Sequence, residues 1–166
     1  MGIDDDAGVG GRAGELIESL GLIPHPEGGY YLETFRSRDQ VRSERGLREA
    51  LTDIYFLLVR GRPNRFHRHP SDEVWHYLEG GPLEILVLDP SGLELTVRNL
   101  RGDRSPKQRK AVVRGGWWQA ARTSGDFTLV SCTVGPGFQF SDLEMLSGLP
   151  EAEEVLRKHP DLSALV

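Results

Sequence analysis

A chain of 166 residues is long enough for one sizeable core, and its single cysteine, Cys132, excludes an internal disulfide framework. The formal net charge of −5 argues against a surface built for nucleic-acid phosphates, and no apolar stretch reaches the roughly 20 residues of a membrane-spanning helix. Twenty glycines and ten prolines suit short strands joined by tight turns, and the acidic start Met1-Gly2-Ile3-Asp4-Asp5-Asp6 differs from a secretory leader, so a cytoplasmic all-β protein is expected.

Residues 1–12 lack apolar periodicity and read as a disordered tail ahead of one domain over 13–145. Glu15 to Leu20 has helical spacing, with Gly21 and Pro24 as a stop. His25 lies in the stiff loop Pro24-His25-Pro26. Tyr30 to Arg36 alternates, with Tyr31, Glu33 and Phe35 on one face; Glu33 points either into a pocket or to solvent. Thr52 to Val59 is apolar on both faces, as in a strand covered by the interior on one side and a second layer or subunit on the other.

Further strands are predicted at Leu83–Leu88 and Leu93–Arg98, which flank the turn Asp89-Pro90-Ser91-Gly92, and at Lys110–Val113, Trp117–Arg122 and Phe127–Val134, about eight in all. The basic run Arg98 to Lys110 is broken by Asp103 and Pro106 and reads as a solvated loop. Cys132 sits mid-strand with no adjoining base, so a buried, inert thiol is expected. Gly135 to Phe140 reads as a bend and terminal strand. A helical tail packed on the barrel is expected over 146–166, with a helix at Pro150–Pro160 whose first turn is acidic and last turn basic, acting as a lid or surface helix.

The chemistry concentrates in Gly61 to Gly80. His67 and His69 project to the same side of a strand, and Glu73 rejoins them after the turn Pro70-Ser71-Asp72. Two imidazoles and a carboxylate are a usual set for an open divalent site, which would be catalytic or ligand-binding. Glu73, Trp75 and Tyr77 share a face. His76 then points away as a core or interface residue, unless a bulge returns it to the site. Adjacent Trp117 and Trp118 face opposite ways, so only one of them lines a pocket.

The stretch fits G-x5-H-x-H-x3-E-x6-G at every fixed position, and so resembles the first motif of the cupin superfamily. Leu22 to Tyr31, Glu33 to Ser37, Glu73-Val74-Trp75-His76 and Trp118-Gln119-Ala120 resemble its branch called domain of unknown function 985. The resemblance covers about Leu16 to Leu143 and implies a double-stranded β-helix, or jelly roll, commonly a homodimer, without one agreed reaction. It also places His25 at a pocket rim. The second superfamily motif ends in a histidine ligand where this chain has Gln119, so the implied metal set is His67, His69, Glu73 and Gln119, around iron, manganese, zinc or nickel. His69 is alternatively an ordinary polar lining residue.

Three functions follow. The first is a metal-dependent isomerase, epimerase or decarboxylase acting on a small sugar- or carboxylate-like metabolite, with Tyr31, Glu33 or His76 moving protons. The second is metal-free epimerase chemistry, as elsewhere among cupins, with His67 as base and Tyr31 or Tyr77 as acid. The third is a non-catalytic module that holds a small molecule among Trp75, Tyr77, Trp117, Trp118 and the polar cluster.

Overall fold

A computed structural model describes residues 9–91, 94–102 and 108–166. Helix α1 (Gly11–Leu20) is followed by β1 (Ile23–Pro24), β2 (Tyr30–Arg36), β3 (Gln40–Ser43), β4 (Gly46–Glu49), β5 (Thr52–Val59), β6 (Asn64–Arg68) and β7 (Asp72–Gly80). Next come β8 (Leu83–Leu88), β9 (Leu95–Leu100), β10 (Lys110–Val113), β11 (Trp118–Thr123), β12 (Phe127–Gly135), β13 (Glu144–Met145), helix α2 (Pro150–Lys158) and a closing 3-10 turn (Pro160–Leu165). The strands form a six-stranded sheet ordered β1-β2-β5-β12-β7-β10, a five-stranded sheet ordered β13-β6-β11-β8-β9, and the separate hairpin β3-β4. This is the expected all-β double-stranded β-helix.

The two large sheets stack on a core that includes Phe56, Leu58, Trp75, Ile85, Val87, Val113 and Val130. Each is also covered outside, because both carry apolar residues on their outer faces. Leu57, Val59 and Leu129 of the six-stranded sheet pack with Ala13 and Leu16 of α1, so the second layer over β5 is this helix. Gly21 ends α1 in the left-handed conformation that glycine adopts without strain, its N–H returning to the Ile17 and Glu18 carbonyls. Phe66, Leu86, Leu88 and Trp118 of the five-stranded sheet pack with Ala152, Val155, Leu162 and Leu165. The C-terminal segment is therefore a structural cover rather than a lid, and Pro150 opens its helix at a position where no backbone donor is lost.

Several elements differ from expectation. Helix α1 begins at Gly11, inside the expected tail; residues 1–8 of that tail, Gly92 and Leu93 of the hairpin, and residues 103–107 of the basic run lie outside the described residues. The strand predicted to end at Arg98 runs on to Leu100 as β9, so the basic run opens in a strand, with Val97, Arg98 and Asn99 paired to Leu86, Ile85 and Glu84. Thirteen strands appear among the described residues; the surplus comes from the β3-β4 hairpin and from the two-residue pieces β1 and β13. Gly137 to Gln139 is irregular chain leading into a 3-10 turn, Phe140–Asp142, so the expected terminal strand is replaced by β13, which pairs with β6. Among the described residues no helix is long and apolar enough to cross a membrane.

Candidate active site between the sheets

A cavity of about 120 Å³ opens between the sheets, lined by His25, Glu27, Tyr31, Glu33, Arg36, Thr52, Ile54, His67, His69, Glu73, Cys132, Val134, Phe138 and Phe140. His67 comes from β6, with Gln119 and Met145 as its partners on either side in the sheet. Glu73 comes from β7 on the facing sheet, between Val113 and Val134. His69 lies in the turn joining β6 to β7. That turn is clamped from outside: Gly116 N–H donates to the His69 carbonyl at 2.8 Å, and Gly115 N–H to Asp72 Oδ1 at 2.9 Å. A Cβ at position 115 would stand 2.1 Å from the Pro70 carbonyl oxygen, so this close approach requires glycine.

Glu27 reaches the cavity floor from the loop before β2. Gly28 and Gly29 follow it with φ of +103° and +79°, a reversal that other residues would strain to make. Glu27 N–H donates to His25 Nδ1 at 3.3 Å, its carbonyl accepts from Arg65 N–H at 2.7 Å, and its Oε1 accepts from Asn64 Nδ2 at 3.2 Å. Asn64, fully buried, uses its own oxygen to accept the Ala121 N–H.

Hydrogen-bond chemistry assigns the protons. His67 Nδ1 is 2.8 Å from the Arg65 carbonyl, which only accepts; Nδ1 therefore carries the hydrogen and Nε2 presents a lone pair. That lone pair faces Glu27 Oε2 at 3.1 Å. Burial, reinforced by the charge of Glu73, pushes the Glu27 carboxyl up to about 8, while burial takes His67 down to about 4. Near neutral pH the two are thus a carboxylic acid donating its O–H to a neutral imidazole, rather than an ion pair. Burial and then His67 take His25 down to about 4 as well.

The second pair is ionic. His69 Nε2 lies 2.9 Å from Glu73 Oε2, and Gln119 Nε2 donates to the same oxygen. Burial is the largest single effect and opposes both charges, yet their mutual hydrogen bond and the attraction of neighbouring charges together outweigh it, so His69 stays above the usual imidazole range and Glu73 below the usual carboxylate range. His69 Nδ1 is buried and finds no hydrogen-bond partner among the described residues. Two carboxyls in one cavity are therefore held in opposite states, an arrangement that separates acid from base.

The expected metal ligands do not fit a divalent ion in this arrangement. An indole N–H only donates, so the 3.1 Å contact between Trp75 Nε1 and Gln119 Oε1 turns the amide nitrogen of Gln119 toward Glu73. A cation there would meet N–H hydrogens instead of a carbonyl oxygen, and His69 Nε2 is already engaged by Glu73. Among the described residues no group of three or more His, Cys, Asp and Glu is placed to hold a metal ion.

The other expected site residues are dispersed. Tyr31 lines the cavity, its ring centroid 4.6 Å from that of His25. Glu33 stands at the mouth, bonded to Arg36 at 2.7 and 2.9 Å. His76 lies on the opposite face of β7, between Lys110 and Ser131, where burial and then Lys110 lower its pKa; a regular strand after Glu73 puts it there, and it takes no part in the cavity. Trp75 is buried beneath the polar cluster. Tyr77 packs against the core and bonds the Gly80 carbonyl, away from the cavity. Neither neighbouring tryptophan lines it: Gln119 points inward, so Trp118 points outward beneath the C-terminal cover, with Arg68 4.2 Å above its ring, and Trp117 lines a separate cleft with Arg98, Val112 and Arg114. Cys132 does line the cavity, and burial raises its thiol well above the usual range, as an inert thiol requires. The residues not anticipated are Glu27, Asn64, Arg36, Phe138 and Phe140. The sequence signals for Glu27 were its place inside the Leu22 to Tyr31 stretch that resembles the family branch and its position directly before Gly28-Gly29.

A protein of Shewanella oneidensis with a crystal structure is 33% identical, the match covering 94% of this chain and 98% of that one, with a TM-score of 0.79. A hypothetical protein from Leishmania major is 32% identical over 93% of this chain and 97% of its own, with a TM-score of 0.76. An uncharacterised protein of Saccharomyces cerevisiae is 28% identical over 86% of this chain and 79% of its own length. The family model described as cupin superfamily (DUF985) matches residues 14–146, and the chain belongs to that family.

Proposed function

We propose that this cupin binds a small polar molecule in the cavity and acts on it by proton transfer, Glu27 giving a proton and Glu73 taking one. The observation that carries the reading is that two buried carboxyls face one space with opposite partners, Glu27 against the lone pair of His67 and Glu73 against His69 and the Gln119 amide, which favours opposite protonation. One proton enters the substrate and one leaves it, so an isomerisation or epimerisation beside a carbonyl balances without a redox partner. His67 shares the Glu27 proton and His69 holds Glu73 as the carboxylate. Arg36 stands at the mouth with four of its five N–H donors engaged, two by Glu33, one by Glu49 at 3.1 Å and one by the Phe138 carbonyl at 3.1 Å.

The test is a ligand-observed NMR screen of small metabolites in D2O. A hit should broaden on binding and then gain deuterium at a carbon, with exchange abolished by Glu73→Gln and Glu27→Gln. Binding without exchange would leave a non-catalytic module, and absence of any hit would remove the site. Elemental analysis of protein purified without chelator or affinity nickel tests the alternative with iron, manganese, zinc or nickel. Near-stoichiometric metal that is lost in Glu73→Ala would replace proton transfer by metal-assisted chemistry. A homodimer is also proposed, because Leu32, Phe35, Leu78 and Val112 are exposed together on the outer face of the six-stranded sheet; sedimentation equilibrium at the mass of one chain would exclude it.

A further inference from the structure

His25 brings an unused donor to the cavity. Its Nδ1 accepts the Glu27 N–H at 3.3 Å, so the neutral ring carries its own hydrogen on Nε2. That N–H finds no partner among the described residues, although the side chain is only 5% exposed. Nor is it sealed in the core: among the described residues, the buried side-chain nitrogens and oxygens without a partner are His69 Nδ1, Arg101 Nε and Trp118 Nε1. The ring lines the cavity, and its free N–H opens onto that space.

This donor is held in place by its loop and by its neighbours. Pro24 and Pro26 flank His25, its backbone N–H donates to the Gly29 carbonyl at 2.9 Å, and its carbonyl accepts from the Gly28 N–H at 3.0 Å. The rings of Tyr31 and Phe56 stand edge-on to the imidazole at centroid distances of 4.6 and 5.9 Å. A donor fixed in this way costs no reorganisation when charge develops beside it.

We propose that His25 is a catalytic residue whose Nε2–H binds the carbonyl oxygen of the substrate, so that the ligand is a small ketone or aldehyde. The inference rests on the proton-transfer reading of the cavity and adds the group on which that reaction turns. Glu73 takes a proton from the carbon beside the carbonyl. The C–H pair becomes the C=C bond of an enolate, and the carbonyl π pair moves to oxygen, where Nε2–H meets the new charge. Glu27 then returns a proton to carbon, the C=O bond re-forms, and the two carboxyls recover their first states by proton exchange with water. No electron is gained or lost. Burial keeps the His25 ring neutral near neutral pH, so it donates a hydrogen bond without giving up its proton.

The experiment titrates the full chain with hydroxyacetone carrying 13C at its carbonyl and, separately, with 1,2-propanediol, following the ligand carbon and the histidine ring nitrogens and protons by NMR. His25 should read as the Nε2–H tautomer, and its Nε2–H signal should move with the ketone. The bound carbonyl resonance should shift downfield, and hydroxyacetone should bind about tenfold more tightly than the diol. His25→Phe keeps an aromatic ring but no donor and should lose both the carbonyl shift and the preference. His25→Gln, which restores an N–H, should recover part of the shift. If neither variant folds, the tautomer and the Nε2–H shift of the unaltered chain decide. An Nδ1–H tautomer, a carbonyl resonance unmoved on binding, a shift that survives in His25→Phe, or equal binding of the diol would each overturn the donor assignment. If hydroxyacetone fails while another class of metabolite binds, the carbonyl assignment falls and the ligand cavity stands. If nothing binds, both fall.

Discussion

Glu27→Gln tests whether the cavity stores a proton at neutral pH. The amide is nearly isosteric with the protonated carboxyl: its oxygen can still accept from Asn64, and its N–H can still donate to His67 Nε2. In the native chain the carboxyl titrates at about 8, against an ordinary value of 4.5. Below the lower value, folded and unfolded chains are both protonated and the two proteins differ by a constant. Between the two values the unfolded carboxyl ionises while the native one keeps its proton, so the stability of the parent falls with rising pH by about 1.4 kcal/mol per unit. Above about 8 the loss is complete. The variant has no such carboxyl, so its advantage over the parent should grow by about 2.3 kcal/mol from pH 6 to pH 8 and level off at about 2.7 kcal/mol by about pH 9. His25 and His67 act with the opposite sign, losing stability as pH falls from the ordinary imidazole range toward about 4, but they are common to both proteins and largely cancel in the difference. Urea unfolding at half-unit steps from pH 5.5 to 9, read as the difference between the two proteins, measures the effect. Parallel curves would mean that Glu27 is already ionised at pH 6, and would remove the acid from the proposed mechanism.

Asn64→Ala should cost about 2–4 kcal/mol in urea unfolding, because it leaves both the Ala121 N–H and Glu27 Oε1 buried without their partner; a loss under 1 kcal/mol would show that water replaces the side chain. Trp75→Phe keeps most of the apolar bulk but removes the indole N–H from Gln119 Oε1, for a loss of about 1–3 kcal/mol, and an unchanged midpoint would show that Trp75 does not set the amide orientation. Leu162→Ala, within the C-terminal cover, should cost about 2–5 kcal/mol by thermal or denaturant unfolding without altering ligand titrations at the cavity. A larger effect on ligand binding than on stability would restore the lid.

The architecture was legible because periodicity and punctuation agree in this chain. Alternation in β2, the turn that ends β8, the double-sided apolar run of β5 and the stop at Gly21 each report a local physical requirement, and each element stands where that requirement puts it. Half of the site was legible for the same reason: His67, His69 and Glu73 share a side by parity, and all three line the cavity. The tryptophans were misread because an aromatic residue in a strand carries no mark of which layer it fills. Trp118 looks equally suited to the cavity and to the outer cluster, and only the C-terminal segment, distant in sequence, determines that its outward face is buried.

Two of the residues that escaped, Asn64 and Arg36, share a cause in β-bulges. Asn64 and His67 are three residues apart, so a regular strand would set them on opposite faces. The register of β6 against β11 skips there, pairing Gln119 with His67 but Ala121 with Asn64, so both side chains turn to Glu27 while Phe66 between them faces the outer cluster. Glu33 and Arg36 are also three apart. The pairing of β2 with β5 slips between Glu33 and Phe35, and this brings Arg36 back to the mouth beside Glu33. In each case one extra residue inverts parity, and in each case the residue recovered supports a charge or proton at the cavity: Asn64 through Oε1 of Glu27, Arg36 through Glu33 and Glu49. The local rule of alternation thus fails at the positions where this barrel departs from regular geometry to assemble its site, and a bulge beside a polar pair separated by three is itself a reason to look there for function.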